Sequence, residues 1–202
     1  MLDPRNQSPG DVYRFLISVV VPRPIAFIST VGRQGMNLAP FSYFMPLSSR
    51  PPLLGVSING LRDGAPKDTL RNLRETGDFV INVVSEALAA RMVQTSGEWP
   101  ESLDEFQLTG LTPVASTDVR SPRVAESPVN LECRLYREIP LGDTTLVIGE
   151  LVRAHVSDDV LTHGLVDPVK LAPLGRLGGE GYMPLREVLK LARPKADRNA
   201  TT

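Results

Sequence analysis

Apolar and polar positions change period several times along the chain, and each change marks an element. Ile25 to Thr30 alternates loosely and is rich in β-branched and aromatic residues, and Gly32-Arg33-Gln34-Gly35 supplies turn chemistry. Leu38 to Met45 then resumes the strand pattern, which predicts a β-hairpin. Leu53 to Ile58 reads as a third strand, entered from Pro51-Pro52 and ended by the Asn59-Gly60 turn signal. Leu61 to Pro66 reads as an exposed loop. Leu70, Leu73 and Arg74 follow helical spacing, with Asp68 placed to N-cap the helix and Gly77 to end it. Phe79 to Val84 is a near-continuous apolar strand, and Ser85 is placed to cap a second helix whose buried face is Leu88, Ala89, Met92 and Val93.

Regularity is then lost. Trp99-Pro100, Leu111-Thr112-Pro113, Ser121-Pro122 and Ser127-Pro128 break the stretch from Gly97 to Pro128, which predicts a loop packed on the surface. Val129 to Arg137 and Thr144 to Val156 restore strand composition, with Leu141-Gly142-Asp143 as a hairpin connection and Cys133 pointing into the sheet. Many strands, two short helices and Gly/Pro-rich connections predict a mainly β fold with α additions: a Greek-key-like antiparallel barrel with short flanking helices. Residues 1–192 are read as one domain and 193–202 as a polar, flexible tail, in which Asn199-Ala200-Thr201 matches a glycosylation sequon with no secretion signal to give it meaning.

Composition narrows the classes further. A chain of 202 residues with 42% hydrophobic content can fill one sizeable core. Its apolar runs are too short for a helical membrane span, and Met1-Leu2-Asp3-Pro4-Arg5 lacks a secretory pattern, so a cytoplasmic protein is expected. A single cysteine excludes an internal disulfide framework, and a formal charge of -1 offers no reason to expect nucleic acid.

Two linked blocks carry candidate chemistry. Arg23 to Phe44 reads R-P-I-A-F-I-S-T-V-G-R-Q-G-M-N-L-A-P-F-S-Y-F, and Lys67-Asp68-Thr69 opens the first helix. Burying a phosphate requires donors in place of water. Lys67 offers a point charge, Thr69 a hydroxyl and the helix its first free amides, while Ser29 and Thr30 can converge from the barrel side. Asp68 is read as structural, facing away toward Arg71. Alternation puts Asn37, Ala39, Phe41 and Tyr43 on one side of the second strand and Leu38, Pro40, Ser42 and Phe44 on the other. Asn37 and the small Ala39 suit the pyrimidine edge of an apolar ring.

These blocks, with Gly77-Asp78-Phe79-Val80-Ile81-Asn82 and the late Leu174-Gly175-Arg176-Leu177-Gly178-Gly179, resemble the flavin reductase-like family of FMN-binding split barrels. The resemblance implies an NAD(P)H-dependent flavin reductase that takes a hydride from NADH or NADPH. It also implies a homodimer with FMN at the interface, and a monooxygenase or electron-acceptor protein as a partner for the reduced flavin. It carries over Ser29, Thr30, Asn37, Leu38, Ala39, Ser42, Lys67, Asp68 and Thr69 as FMN contacts, with Ser96 and Arg176 as late or cross-subunit additions. No side chain need act as a nucleophile, because the flavin carries the chemistry. Two alternatives stay open: a flavoredoxin-like electron relay, and an FMN-dependent oxidoreductase with its own small substrate. Gly175 to Gly181 lacks the spacing of a dinucleotide loop and is read as a mobile loop closing over the flavin. His155, His163 and Cys133 form no metal or nucleophile pattern, and Glu126 and Glu132 are read as surface or packing residues.

Overall fold

The computed structural model describes residues 3–61 and 64–194. Seven strands form the main sheet: β1 Ala26–Gly32, β2 Gly35–Phe41, β3 Phe44–Ser49, β4 Pro52–Asn59, β5 Asp78–Val83, β6 Val129–Leu141 and β7 Thr144–Val156. Their order is β2-β1-β5-β6-β7-β4-β3, with every ladder antiparallel. The two outermost strands, β2 and β3, are consecutive in sequence across Ser42 and Tyr43. The sheet therefore curls round and closes through the chain itself and not through a ladder, giving the split barrel. The single strand expected over Leu38 to Met45 is thus two strands with a bend between them.

Alternation on β1 explains why its sequence is apolar on both faces. Ala26 and Ile28 point into the barrel with Val56, Ile58, Phe79, Ile81, Cys133 and Val147. Phe27, with Ile25 just before the strand, points outward into a second core with Leu38, Leu88, Met92, Phe106, Leu111 and Val124. Helix α1 (Pro9–Val19) precedes the barrel. Helix α2 (Asp68–Thr76) inserts Leu70 and Leu73 into the barrel interior and ends at Gly77, whose φ of 72° is the left-handed cap conformation. Its N-cap is Lys67 and not Asp68; Asp68 is the first helical residue, and its carboxylate accepts from Arg71 instead of capping.

The second predicted helix begins as a single 3₁₀ turn, Glu86–Leu88, and continues as α3 (Ala89–Gln94). Ser85 makes no side-chain cap bond, and Val93 is exposed while Leu88 and Met92 are buried. The segment 97–128 departs from expectation. It contains α4 (Glu105–Thr109) and supplies Phe106, Leu111 and Val124 to the second core, so it is a cover over β1 and not a surface excursion. Two buried carboxylates hold its far end. Asp78 accepts from Ser121 N–H and Oγ, and the fully buried Glu132 accepts from Thr117 N–H at 2.8 Å, Asp118 N–H at 2.6 Å and His155 Nε2 at 2.5 Å. Glu132 is therefore a latch for this cover.

The glycine-rich segment is likewise ordered by pairing. Leu174–Arg176 lies between Arg23–Pro24 and Tyr182–Pro184 in a small antiparallel sheet. Part of the 61–66 loop, and the sequon with the end of the tail, lie outside the described residues. Among those described, no helix is long and apolar enough to cross a membrane.

Candidate functional site

The N-terminus of α2 and the edge strand β2 form the two walls of a cleft of about 400 Å³, within the range of small-molecule sites. Asn37, Ala39, Pro40 and Phe41 come from β2, Lys67, Asp68, Thr69 and Arg71 from α2, and Ser96, Trp99 and Glu101 from the connection between α3 and α4. A smaller hollow of about 210 Å³ shares Pro40, Phe41 and Lys67 with it and adds Ser42, Tyr43 and Tyr13. Lys67 therefore stands where the two meet.

The local chemistry is asymmetric. Arg71 is engaged at 2.5 Å by both Asp68 and Glu101. The half-buried Lys67 makes no side-chain cap bond, and its ammonium has no hydrogen bond or ion pair among the described residues. The amides of Asp68 and Thr69 open α2 and have no intrahelical acceptor. An uncommitted cation beside first-turn amides is a set of donors for an anion. Ala39, Pro40, Phe41 and the Trp99 ring supply apolar wall, with Trp99 oriented by its Nε1 donating to Gln94 O at 2.9 Å. This donor set and cleft size fit a phosphate carried on an apolar ring.

The expected residues do not all meet here. Asn37, Ala39, Lys67, Asp68, Thr69 and Ser96 line the cleft, and Ser42 lies in the adjoining hollow, 3.5 Å from Arg23 Nε. Ser29 and Thr30 are fully buried and line neither hollow. Ser29 Oγ donates to Pro122 O at 2.5 Å and accepts from Asn82, and Thr30 Oγ1 accepts from Asn72 Nδ2 at 3.2 Å. Their hydroxyls hold β1 to the cover and to α2, so they do not converge on the cleft from the barrel side as expected. Leu38 points into the second core. Thr69 reaches the cleft, but its hydroxyl proton goes to Asn37 Oδ1 at 2.7 Å and is already engaged. Arg176 lies elsewhere: it stacks on Tyr182 at 4.5 Å and donates to Gly181 O at 2.9 Å. Its hairpin borders a separate apolar hollow and is a tight turn, not a loop over the cleft.

Sequence reasoning missed Glu105, which is 6% exposed on the cleft wall and accepts from Asn37 Nδ2 and from Leu38 N–H, each at 3.1 Å. Burial raises its carboxyl above the ordinary range. Hydrogen bonds from Leu38, its own backbone and Asn37 oppose that shift, and the Asp68 charge adds to it. A local signal was present: Asp104 caps Phe106 N–H at 2.8 Å, and Gly110 closes the helix at a φ of 63°. The short helix D-E-F-Q-L-T-G was thus marked at both ends.

Comparison with known proteins agrees with this architecture. A flavin reductase like domain matches residues 18–170. The crystal structure of nitrilotriacetate monooxygenase component B from Bacillus cereus superposes with a TM-score of 0.91 at 36% identity, covering 95% of this chain and 98% of that one. That of 2-nitrobenzoate 2-nitroreductase from Pseudomonas fluorescens gives 0.89 at 28% identity, covering both chains completely, at 100%. A flavin reductase (NADH) of Kitasatospora aureofaciens is 32% identical over 157 residues, 74% of this chain and 75% of that protein. Since the matched region spans the barrel, α2 and both walls of the cleft, the chain belongs to the family of flavin reductase like domains.

Proposed function

We propose that the protein is an FMN-binding oxidoreductase, an NAD(P)H-dependent flavin reductase whose cofactor lies in the cleft between β2 and α2. The observation that carries this reading is the uncommitted Lys67 ammonium beside the first amides of α2. Lys67 and those amides would hold the phosphate, with Ser42 and Ser96 at its margins. Ala39, Pro40 and Phe41 would line the ring, and the outward edge of β2 would face its polar rim. Leu38 N–H points away from β1 to reach Glu105; by ladder alternation Pro40 occupies an equivalent outward position, where its missing N–H costs no ladder bond. When bound, FMN supplies a ring whose N5 accepts hydride from a nicotinamide. The chain's part is to fix that ring, exclude water with Trp99 and Phe41, and leave one face open.

A second copy of the chain would complete the site. Exposed Val19 at the end of α1, Val20 and Val21 after it, and exposed Met45 and Leu47 on β3 provide apolar surface for it, and Arg176 would reach a cleft only across such an interface. A monomer by light scattering at micromolar concentration would count against this. Likeness to a monooxygenase component B supports delivery of reduced flavin to a partner enzyme.

A second reading is FMN-dependent reduction of a small organic substrate, favoured by the full-length likeness to a nitroreductase and by the reach of the cleft out to Trp99. The test is an absorbance spectrum of the purified protein with added FMN, then anaerobic NADH and NADPH. Bound flavin that bleaches quickly supports the reductase, flavin that stays oxidised moves weight to the second reading or to an electron relay, and no binding rejects the cleft.

A further inference from the structure

The cleft wall holds a buried carboxyl group that the phosphate site does not use directly. Both oxygens of Glu105 accept hydrogen bonds, Oε1 from Asn37 Nδ2 and Oε2 from Leu38 N–H. An ionised carboxylate can only accept, so it fixes the Asn37 amide with its NH₂ toward Glu105 and its Oδ1 toward Thr69. Thr69 Oγ1 must then donate to Asn37. A hydroxyl has one proton; with that proton on Asn37, Thr69 presents only lone pairs to the cleft, the wrong polarity for a phosphate oxygen.

We propose that Glu105 is a positioning residue that sets, through Asn37, the direction in which the Thr69 hydroxyl donates, and that phosphate entry is coupled to uptake of one proton by Glu105. The inference rests on the FMN reading of this cleft. The proton comes from solvent and binds Oε1. Glu105 then donates to Asn37 Oδ1, the rotated amide donates from Nδ2 to Thr69, and the Thr69 proton turns to the phosphate. Oε2 keeps Leu38 N–H, and no covalent bond other than the new O–H changes. The same proton removes a negative charge near the incoming anion. Among the described residues, the charged groups that line the cleft with Glu105 are Lys67, Asp68 and Arg71 at the start of α2 and Glu98 and Glu101 from the preceding connection; β2 contributes Asn37, Ala39, Pro40 and Phe41, none ionisable. Asp68 adds to burial in favouring the neutral acid.

Two measurements test this. The first follows the Asn37 side-chain amide resonances against pH in the ligand-free protein. The second is calorimetry of FMN binding near neutral pH in buffers of different ionisation enthalpy, which counts protons taken up. Glu105→Gln is the isosteric variant with the relay held permanently inverted, since its NH₂ donates to Asn37 while its carbonyl accepts from Leu38. The amide resonances should titrate in the wild type and stay still in Glu105→Gln. The wild type should take up as much as one more proton per FMN, and its affinity relative to the variant should fall about tenfold per pH unit above the Glu105 titration. If Glu105→Gln does not fold, Thr69→Val carries the test, because removing the hydroxyl should lower the extra uptake to what the direct charge effect alone supplies, and an undiminished uptake overturns the relay. FMN binding with equal proton uptake in wild type and variant overturns the coupling and leaves the flavin reading standing. A titrating amide with no FMN binding to either protein overturns the coupling together with the flavin reading.

Discussion

Replacing Lys67 by Ala separates ligand binding from folding more cleanly than any other change in the cleft. The Lys67 ammonium has no partner among the described residues, so its loss removes no hydrogen bond or ion pair among them. Stability should change by no more than about 0.5 kcal/mol, which for a chain of this size is a shift in Tm under about 2 °C. Binding should respond differently. A charge-assisted contact between a half-buried ammonium and a phosphate contributes about 1.5–3 kcal/mol, or roughly 10- to 150-fold in Kd. Riboflavin, which lacks the phosphate, provides the internal control. Fluorescence titration of the apoprotein with both ligands should show Lys67→Ala weakening FMN by that factor while leaving riboflavin within about twofold, the size of the permitted 0.5 kcal/mol surface effect. The FMN difference should also shrink as salt rises. Equal losses for the two ligands would mean that Lys67 shapes the pocket generally, and an unchanged FMN affinity would place the phosphate elsewhere.

Other changes test the frame around the cleft. Glu132→Gln keeps shape but replaces one acceptor oxygen by a donor facing a backbone N–H; a loss of about 2 kcal/mol is expected, read as a fall of about 4–8 °C in Tm. Burial pushes the Glu132 carboxyl up, but hydrogen bonds from Thr117, Asp118 and His155 outweigh it and hold the group below the ordinary range. Its contribution is therefore full above the unfolded-state value and is lost as pH falls through the lower folded one, so the Tm deficit of Glu132→Gln should shrink in acid. Gly149→Ala would set a methyl 2.4 Å from Phe79 Cζ and 3.2 Å from Cys133 Cβ, overpacking the barrel by about 1–3 kcal/mol in a urea melt. Burial, with the Glu132 charge adding to it, pushes the Cys133 thiol up to about 12. Iodoacetamide at pH 8 should leave the native protein unlabelled and react once urea unfolds it; labelling of the native state would contradict the burial.

Legibility of the chain followed the range of the interactions. The strands and α2 carried their own punctuation: Gly32 to Gly35 turns β1 into β2, Gly77 ends α2, and Gly142 turns β6 into β7. The 97–128 cover did not, because its prolines mimic loop composition while Phe106, Leu111 and Val124 find their partners on β1 and α3, far away in sequence. At the site, the linked blocks placed β2 beside α2, and Asn37, Ala39, Lys67 and Thr69 do face one cleft. Ser29 and Thr30 read as donors because their types suit a phosphate. What commits them is Pro122, Asn82 and Asn72, contacts that appear only when the cover and α2 are in place.

Charge around the cleft also bears on which flavin protein this is. In the ligand-free protein the described lining residues Lys67 and Arg71 face Asp68, Glu101 and Glu105, and Arg71 is already paired with Asp68 and Glu101. A site built to retain a phosphate dianion permanently would gain from more uncommitted cations than one. Here the attraction rests on Lys67 and the α2 amides, while neighbouring carboxylates oppose it and solvent screens both. On the proposed reading, such a balance suits a flavin that is held through one turnover and then exchanged, as a reductase serving a separate acceptor needs. A relay protein that never releases its cofactor would be expected to break the Asp68–Arg71–Glu101 arrangement and turn Arg71 to the phosphate. The distinction is measurable: Glu101→Gln, which leaves Arg71 held by Asp68 alone, should tighten FMN and slow its dissociation, and an unchanged off-rate would count against the idea that the Arg71 pairing weakens FMN retention.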